Sequence, residues 1–189
     1  MAGQRADARR NYELLLAVAS RAIAEQGADA SLEQIARTAG VGSGTVRRHF
    51  PTRHALLAAV FQDRTELLAG RARELAGRPD SRAALLEWLD AVLSFATTSR
   101  GLAEALHRDH VADPADVHEH CATARLTEAG RPLVDRAAAE GALAPDVTVT
   151  DLLSLVTGIA LTTEHHPDAA AEASRLLGLT IAGISPGRP

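Results

Sequence analysis

Residues 32–50, LEQIARTAGVGSGTVRRHF, decide how the chain is read. Their small and apolar residues fall where two helices crossing at a tight turn need them. Ile35 and Ala39 are apolar and point inward, and Ala36 is small where a second helix crosses the first closely. Gly40 occupies the turn, where a positive φ is cheap only for glycine. Val41 plugs the turn and Val46 anchors the second helix. Ser31 precedes the first helix with Gln34 three residues on, the spacing of a capping box. The stretch reads as a helix-turn-helix whose second helix can lie in the major groove of double-stranded DNA.

Charge supports that partner once it is divided along the chain. The 189 residues carry a net charge of −4. Residues 1–56 hold eight arginines against five acids, a local +3, and residues 57–189 hold twelve against nineteen, a local −7. Basic charge is concentrated around the helix-turn-helix, and the acidic remainder restricts docking to one end. Hydrophobic residues make up 46% and aromatic residues only 3%, so the core must be built from Ala, Leu and Val, a composition that favours helix. The single cysteine, Cys121, excludes an internal disulfide framework. No run of 18 apolar residues spans a membrane, and the first residues lack the apolar core of a signal peptide. A cytoplasmic protein without a membrane partner is expected.

Outward from the motif, helical spacing predicts a first helix over 8–26, with Tyr12, Leu15, Ala19, Ala22 and Ile23 on one face and Gly27 as C-cap. Thr52 caps a long helix that Gly77, Pro79 and Asp80 end. Ser81 caps the next, with Leu85, Trp88, Val92 and Phe95 in one stripe and Leu86, Leu89 and Leu93 in a second, so that it is buried on two sides. A short helix over 102–109 follows Gly101, and 111–120 reads as a loop. A helix over 122–140 contains Pro132, either near its start or kinking it. After a linker over 141–149, Thr150 caps a helix to 161, and a last helix covers 168–184. Leu152, Val156 and Ile159 on one, and Leu176, Leu177 and Ile181 on the other, suggest packing against the domain and against a second copy, against the plainer reading of an ordinary buried helical hairpin. Residues 185–189 read as a disordered tail.

The first helix, the helix-turn-helix and the run TVRRHFPTRHALLAAVF together resemble the TetR family of bacterial transcriptional regulators. The family pattern, close to IA..AGVS.GTLY.HF.SKEALL, stands here as Ile35, Ala36, Ala39-Gly40-Val41, Gly44-Thr45-Val46, His49-Phe50, Thr52-Arg53 and Ala55-Leu56-Leu57. Arg100 to Leu106 and the closing helices look like a branch of the family common in actinobacteria. The resemblance implies an all-α homodimer of about nine helices per chain. It divides into a three-helix DNA-binding domain over 1–51 and a helical ligand-binding and dimerisation domain over 52–184. Most members are repressors released from a palindromic operator by a small-molecule effector, and some are activators. Two of the departures from the pattern bear on DNA contact: Gly42 replaces a serine that caps the recognition helix and reaches a phosphate, and Arg47 replaces a tyrosine.

Several residues are candidates for DNA contact. Ser43 can stand in for the missing hydroxyl, Gly44 lets the backbone approach base edges, and Thr45 can meet a thymine methyl or a phosphate. Arg47 and Arg48 can each reach a phosphate or guanine O6 and N7. His49 looks like the family's phosphate-contacting position. Thr52 and Arg53 start a helix whose amides favour a phosphate, and Ser31 and Gln34 do the same at the earlier helix start. Trp88, Val92 and Phe95, with His107 as a polar handle, are the candidate effector pocket, against the plainer reading of core packing. His107, His110, His118, His120 and Cys121 match no closed zinc motif, so no metal or other cofactor is expected. Gly40, Gly42 and Gly44 are explained by the turn and not by a bound nucleotide. No catalytic residues stand out, and an enzyme is not expected. A metal- or protein-responsive regulator, or a helical enzyme with a degenerate helix-turn-helix, are the alternatives.

Overall fold

The computed structural model describes residues 2–26, 30–108 and 116–184, excepting the side chains of 2–8, 24–26, 99–108 and 116–121. The described residues form eight α-helices and no strand. They are α1 (Ala2–Gln26), α2 (Leu32–Thr38), α3 (Ser43–His49), α4 (Arg53–Leu75), α5 (Ser81–Arg108), α6 (Asp116–Ala139), α7 (Val149–Thr163) and α8 (Ala169–Ile184). None is long and apolar enough to cross a membrane. Gly27, residues 111–115 of the expected loop and the tail 185–189 lie outside the described residues.

The chain divides into two compact units, Met1–Asp63 with Thr98–His118, and Arg64–Thr97 with Glu119–Pro189. The first is built on Leu15, Leu16, Ala19 and Ile23 of α1, Ile35 and Ala36 of α2, Val46 of α3, Phe50, and Leu56, Leu57 and Val60 of α4. The α1 face expected from helical spacing is therefore the face that is buried. Thr52 caps α4 as expected, its Oγ1 accepting from the Ala55 N–H at 3.0 Å.

In the second unit Trp88 is fully buried among Leu75, Leu85, Leu89 and Val92 and the apolar faces of α6, α7 and α8. Its Nε1 donates to the Leu68 carbonyl at 3.1 Å, giving the buried indole the partner it needs. Gly130 of α6 leaves space for the ring: a Cβ there falls 2.3 Å from Trp88 Cη2. Gly141, at φ +71°, ends α6, with its N–H bonded to Ala138 O and that of Ala142 bonded to Ala137 O. This is the Schellman arrangement.

Five boundaries differ from the sequence expectation, the first being α1, which begins at Ala2 and not at residue 8. α5 runs unbroken through Gly101, since one glycine costs only about 1 kcal/mol in a helix. α6 begins at Asp116, inside the expected loop, and carries Pro132 in its interior. Asp80 caps α5 in place of Ser81: Asp80 Oδ1 accepts from the Ala83 N–H at 2.9 Å, while Ser81 is 3% exposed. Thr148 caps α7 in place of Thr150, through a complete capping box with Asp151. Fusion of the two expected helices around Gly101 into α5 gives eight helices among the described residues where about nine were expected.

Candidate nucleic-acid interface

The turn between α2 and α3 is set by backbone chemistry. Ala39 ends α2, and Gly40 follows at φ +66°. The Gly40 N–H bonds to Arg37 O at 3.0 Å and the Val41 N–H to Ala36 O at 3.1 Å, again a Schellman pair. The positive φ is the position where a Cβ would be strained, so glycine is needed here for conformation and not for space. Gly42 then takes the N-cap of α3 at φ −67°, ψ 148°, with no side chain to cap it. At the start of α2, Ser31 Oγ accepts from the Gln34 N–H at 3.5 Å. Gln34 does not complete the box; its Oε1 accepts from Arg37 at 3.2 Å instead.

Burial sorts the two faces of α3. Val46 and Phe50 are 3% exposed and anchor the helix in the core. Ser43, Gly44, Arg47 and Arg48 are exposed, and Thr45 and His49 are half-buried at the edges. Ser31, Gln34 and Thr52 are exposed and Arg53 is half-buried at the start of α4. A seven-residue helix thus presents two guanidinium groups, a hydroxyl and a bare glycine on one outer side, over an apolar inner side. Such a surface can offer donors to guanine edges and phosphate oxygens while the backbone at Gly44 comes close. Nothing blocks that approach: a Cβ at Gly42 or Gly44 would meet no atom within 4 Å. At the far end of α3, Tyr12 of α1 packs on the rings of His49 and Phe50, a contact that helical spacing alone does not reveal.

The other candidate residues fall in the second unit. Trp88 and Val92 are buried in its core, and Phe95 is half-buried; His107 lies outside the described side chains. Leu152, Val156, Ile159, Leu177 and Ile181 are all buried within the chain's own core, and Leu176 lies at its edge. The exposed large apolar side chains of the same two helices are Leu155, Leu161 and Leu179, at 39, 51 and 58%. The side chains of His118, His120 and Cys121 are not described, and His110 lies outside the described residues.

Comparison with known proteins covers both parts. Residues 15–60 match the family model of bacterial regulatory proteins of the tetR family. Residues 80–186 match the model of the C-terminal domain of SbtR-like transcriptional regulators. A TetR transcriptional regulator from Streptomyces coelicolor is 37% identical, with a TM-score of 0.77 over 94% of this chain and 99% of that one. A TetR regulatory protein from Mycobacterium vanbaalenii is 28% identical, with a TM-score of 0.73 over 96% and 99%. The transcriptional regulator FadR from Bacillus subtilis, in complex with stearoyl-CoA, shares the fold at 17% identity and a TM-score of 0.62, over 92% and 99%. A comparison with curated proteins gives no match.

Proposed function

The chain belongs to the TetR family of bacterial transcriptional regulators, and from that premise we propose that it is a cytoplasmic, homodimeric repressor which a small-molecule effector releases from a palindromic operator. One observation carries the reading: α3 turns Val46 and Phe50 into the core and leaves Ser43, Gly44, Arg47 and Arg48 outside. The DNA-binding domain is assigned to 1–51 and the regulatory and dimerisation domain to 52–184. Arg48 reads a base edge, and Arg47 reads a base or holds a phosphate. Thr45 and Ser43 contact the groove edge. His49, Thr52, Arg53, Ser31 and Gln34 bind phosphates and fix the register, which carries no sequence information in itself.

A seven-residue helix makes few base contacts, and a two-fold dimer on a palindrome doubles them. The dimer contact is assigned to α7 and α8. Leu152, Val156, Ile159, Leu176, Leu177 and Ile181 form its supporting row, and Leu155 and Leu179 its outer face. Support for the latter two is their exposure on the solvent side of helices whose other side packs into the core. The effector site is assigned to the α5 face of Trp88, Val92 and Phe95, with His107. That FadR, a regulator of the same fold, is known in complex with stearoyl-CoA supports an organic effector. The effector acts by favouring a dimer geometry whose recognition helices no longer match successive grooves, which requires that it bind that geometry better.

Fluorescence anisotropy on DNA flanking the gene, at two salt concentrations with random duplex as competitor, tests the reading. Saturable, salt-dependent binding that survives the competitor is expected. Arg48→Ala weakens it and relaxes specificity at one base pair. Arg53→Ala weakens all sequences alike and lowers the salt slope by about one. Equal loss on operator and random duplex for Arg48→Ala removes its base-reading role. Absence of salt-dependent duplex binding, also after selection from a random duplex library, overturns the reading. Sedimentation tests the dimer: Leu155→Glu with Leu179→Glu yields monomers that bind the palindrome more weakly, and an unchanged dimer rules that face out.

A further inference from the structure

Tyr12 is the only tyrosine of an aromatic-poor chain, and α1 delivers it to the C-terminal end of α3. Its ring stacks on Phe50, with centroids 5.1 Å apart and 27° between planes. It meets His49 edge-on at 5.9 Å and 60°. His49 and Phe50 close the triangle at 6.3 Å and 48°. These are the separations and tilts at which aromatic rings attract one another beyond simple burial. Phe50, 3% exposed, gives the cluster a fixed floor, while Tyr12 and His49 stay half-buried at its rim. The rest of the buried α1 face is aliphatic, made of Leu15, Leu16, Ala19 and Ile23, so an aromatic ring at 12 is not what the core itself demands.

We propose that Tyr12 is a positioning residue for DNA binding: its ring holds the His49 imidazole in the orientation that meets a phosphate. The inference rests on α3 being the recognition helix and on the phosphate role of His49. An unsupported imidazole must give up rotamer freedom when it binds, and a ring already held by two neighbours has less to lose. Tyr12 acts through the face and edge of its ring, so its hydroxyl is not needed.

A double-mutant cycle tests this on a duplex selected from a random library by the unaltered protein. Y12L, H49A, the double variant and Y12F are compared by anisotropy, each kept well below its own melting temperature. Y12F retains affinity within about twofold, and Y12L loses about threefold to tenfold, the cost of ordering one freed side chain on binding. In the H49A background Y12L costs nothing further. A His49 ring-proton NMR signal, assigned by its absence in H49A, shifts in Y12L and stays in place in Y12F. An undiminished Y12L effect on top of H49A means that Tyr12 only supports the fold, and overturns the proposal. A loss in Y12F equal to that in Y12L means that the hydroxyl contacts DNA directly, and also overturns it. If Y12L does not fold, the NMR signal and affinity of Y12M decide in the same sense. Failure of the unaltered protein to bind any duplex is a separate result that removes the DNA reading itself and this inference with it.

Discussion

A Cβ built on Gly130 lies 2.3 Å from Cη2 and 2.8 Å from Cζ3 of Trp88, far inside van der Waals contact. The ring cannot yield without turning away from the Leu68 carbonyl that accepts its N–H at 3.1 Å. Overpacking of this kind costs about 1–3 kcal/mol. Gly130→Ala is therefore expected to lower the urea midpoint. Because Trp88 is the only tryptophan and is fully buried, its emission also shifts toward the red in the native state. Unchanged emission in a folded variant contradicts this packing. The residue scale shows how unequal the glycines are as signals. Gly40 was legible because its task is local: a helix end that turns through φ +66°. Gly130 was not, because its task depends on a tryptophan on another helix, and no spacing rule within α6 reveals that crossing. Likewise the apolar stripe around Trp88 identified burial, and the partner of the indole N–H had to come from the structure.

The existence and type of the helices followed from their periodic apolar faces, while several of their ends did not. Two threonines compete as the cap of α7. Thr150 was the sequence choice, yet the cap is Thr148. Its Oγ1 accepts from the Asp151 N–H at 3.2 Å and Asp151 Oδ2 accepts from the Thr148 N–H at 2.9 Å. The difference lies in the residue three positions on: Thr148 is followed there by an acid, which can bond back, and Thr150 by Leu153. Thr148→Ala is expected to cost about 1 kcal/mol in chemical denaturation, and Thr150→Ala close to nothing. The Thr148 hydrogen bonds hold the Asp151 carboxyl below the usual carboxylate range, so Thr148→Ala also moves its NMR titration upward. Equal stability losses at the two threonines argue against the observed cap. α5 shows the opposite error. A glycine at 101 suggested a break, but the helix carries through it because the cost of one glycine is small against continued hydrogen bonding. The recognition helix was the clearest element in the sequence because its turn, its anchors and its basic outer side are all coded within nineteen contiguous residues.

Across the molecule, the division of charge was readable from composition, whereas the packing boundary was not. Leu56, Leu57 and Val60 bury with α1, α2 and α3, so the first compact unit reaches Asp63 and α4 contributes to both units. Four surface carboxylates of the second unit have named partners, two of them on another helix. Arg73 and Arg125 both donate to Glu66, at 2.9 and 2.8 Å, joining α4 to α6, and lower its carboxyl pKa. Ser81 first and Arg136 second lower that of Glu140, and Arg136 also donates to Ala76 O and Pro79 O. Thr148 lowers Asp151 and Arg175 lowers Glu172. A carboxyl whose pKa is lower in the folded than in the unfolded chain binds fewer protons when folded. Its stabilisation is complete above the ordinary carboxylate range and is lost as pH falls through the lowered folded value. All four shifts have this sign, so the second unit loses stability on the acid side. Each partnership is exposed and individually weak, and salt screens the purely ionic ones. The melting temperature is expected to change little between pH 8 and about 6 on account of these groups, and to fall below the ordinary carboxylate range. Glu66→Gln is expected to flatten that fall, more so at low than at high salt. Circular dichroism melts from pH 8 to about 3.5 at two ionic strengths check this. A melting temperature that rises on acidification, or an acid profile untouched by Glu66→Gln, contradicts the role given to these contacts.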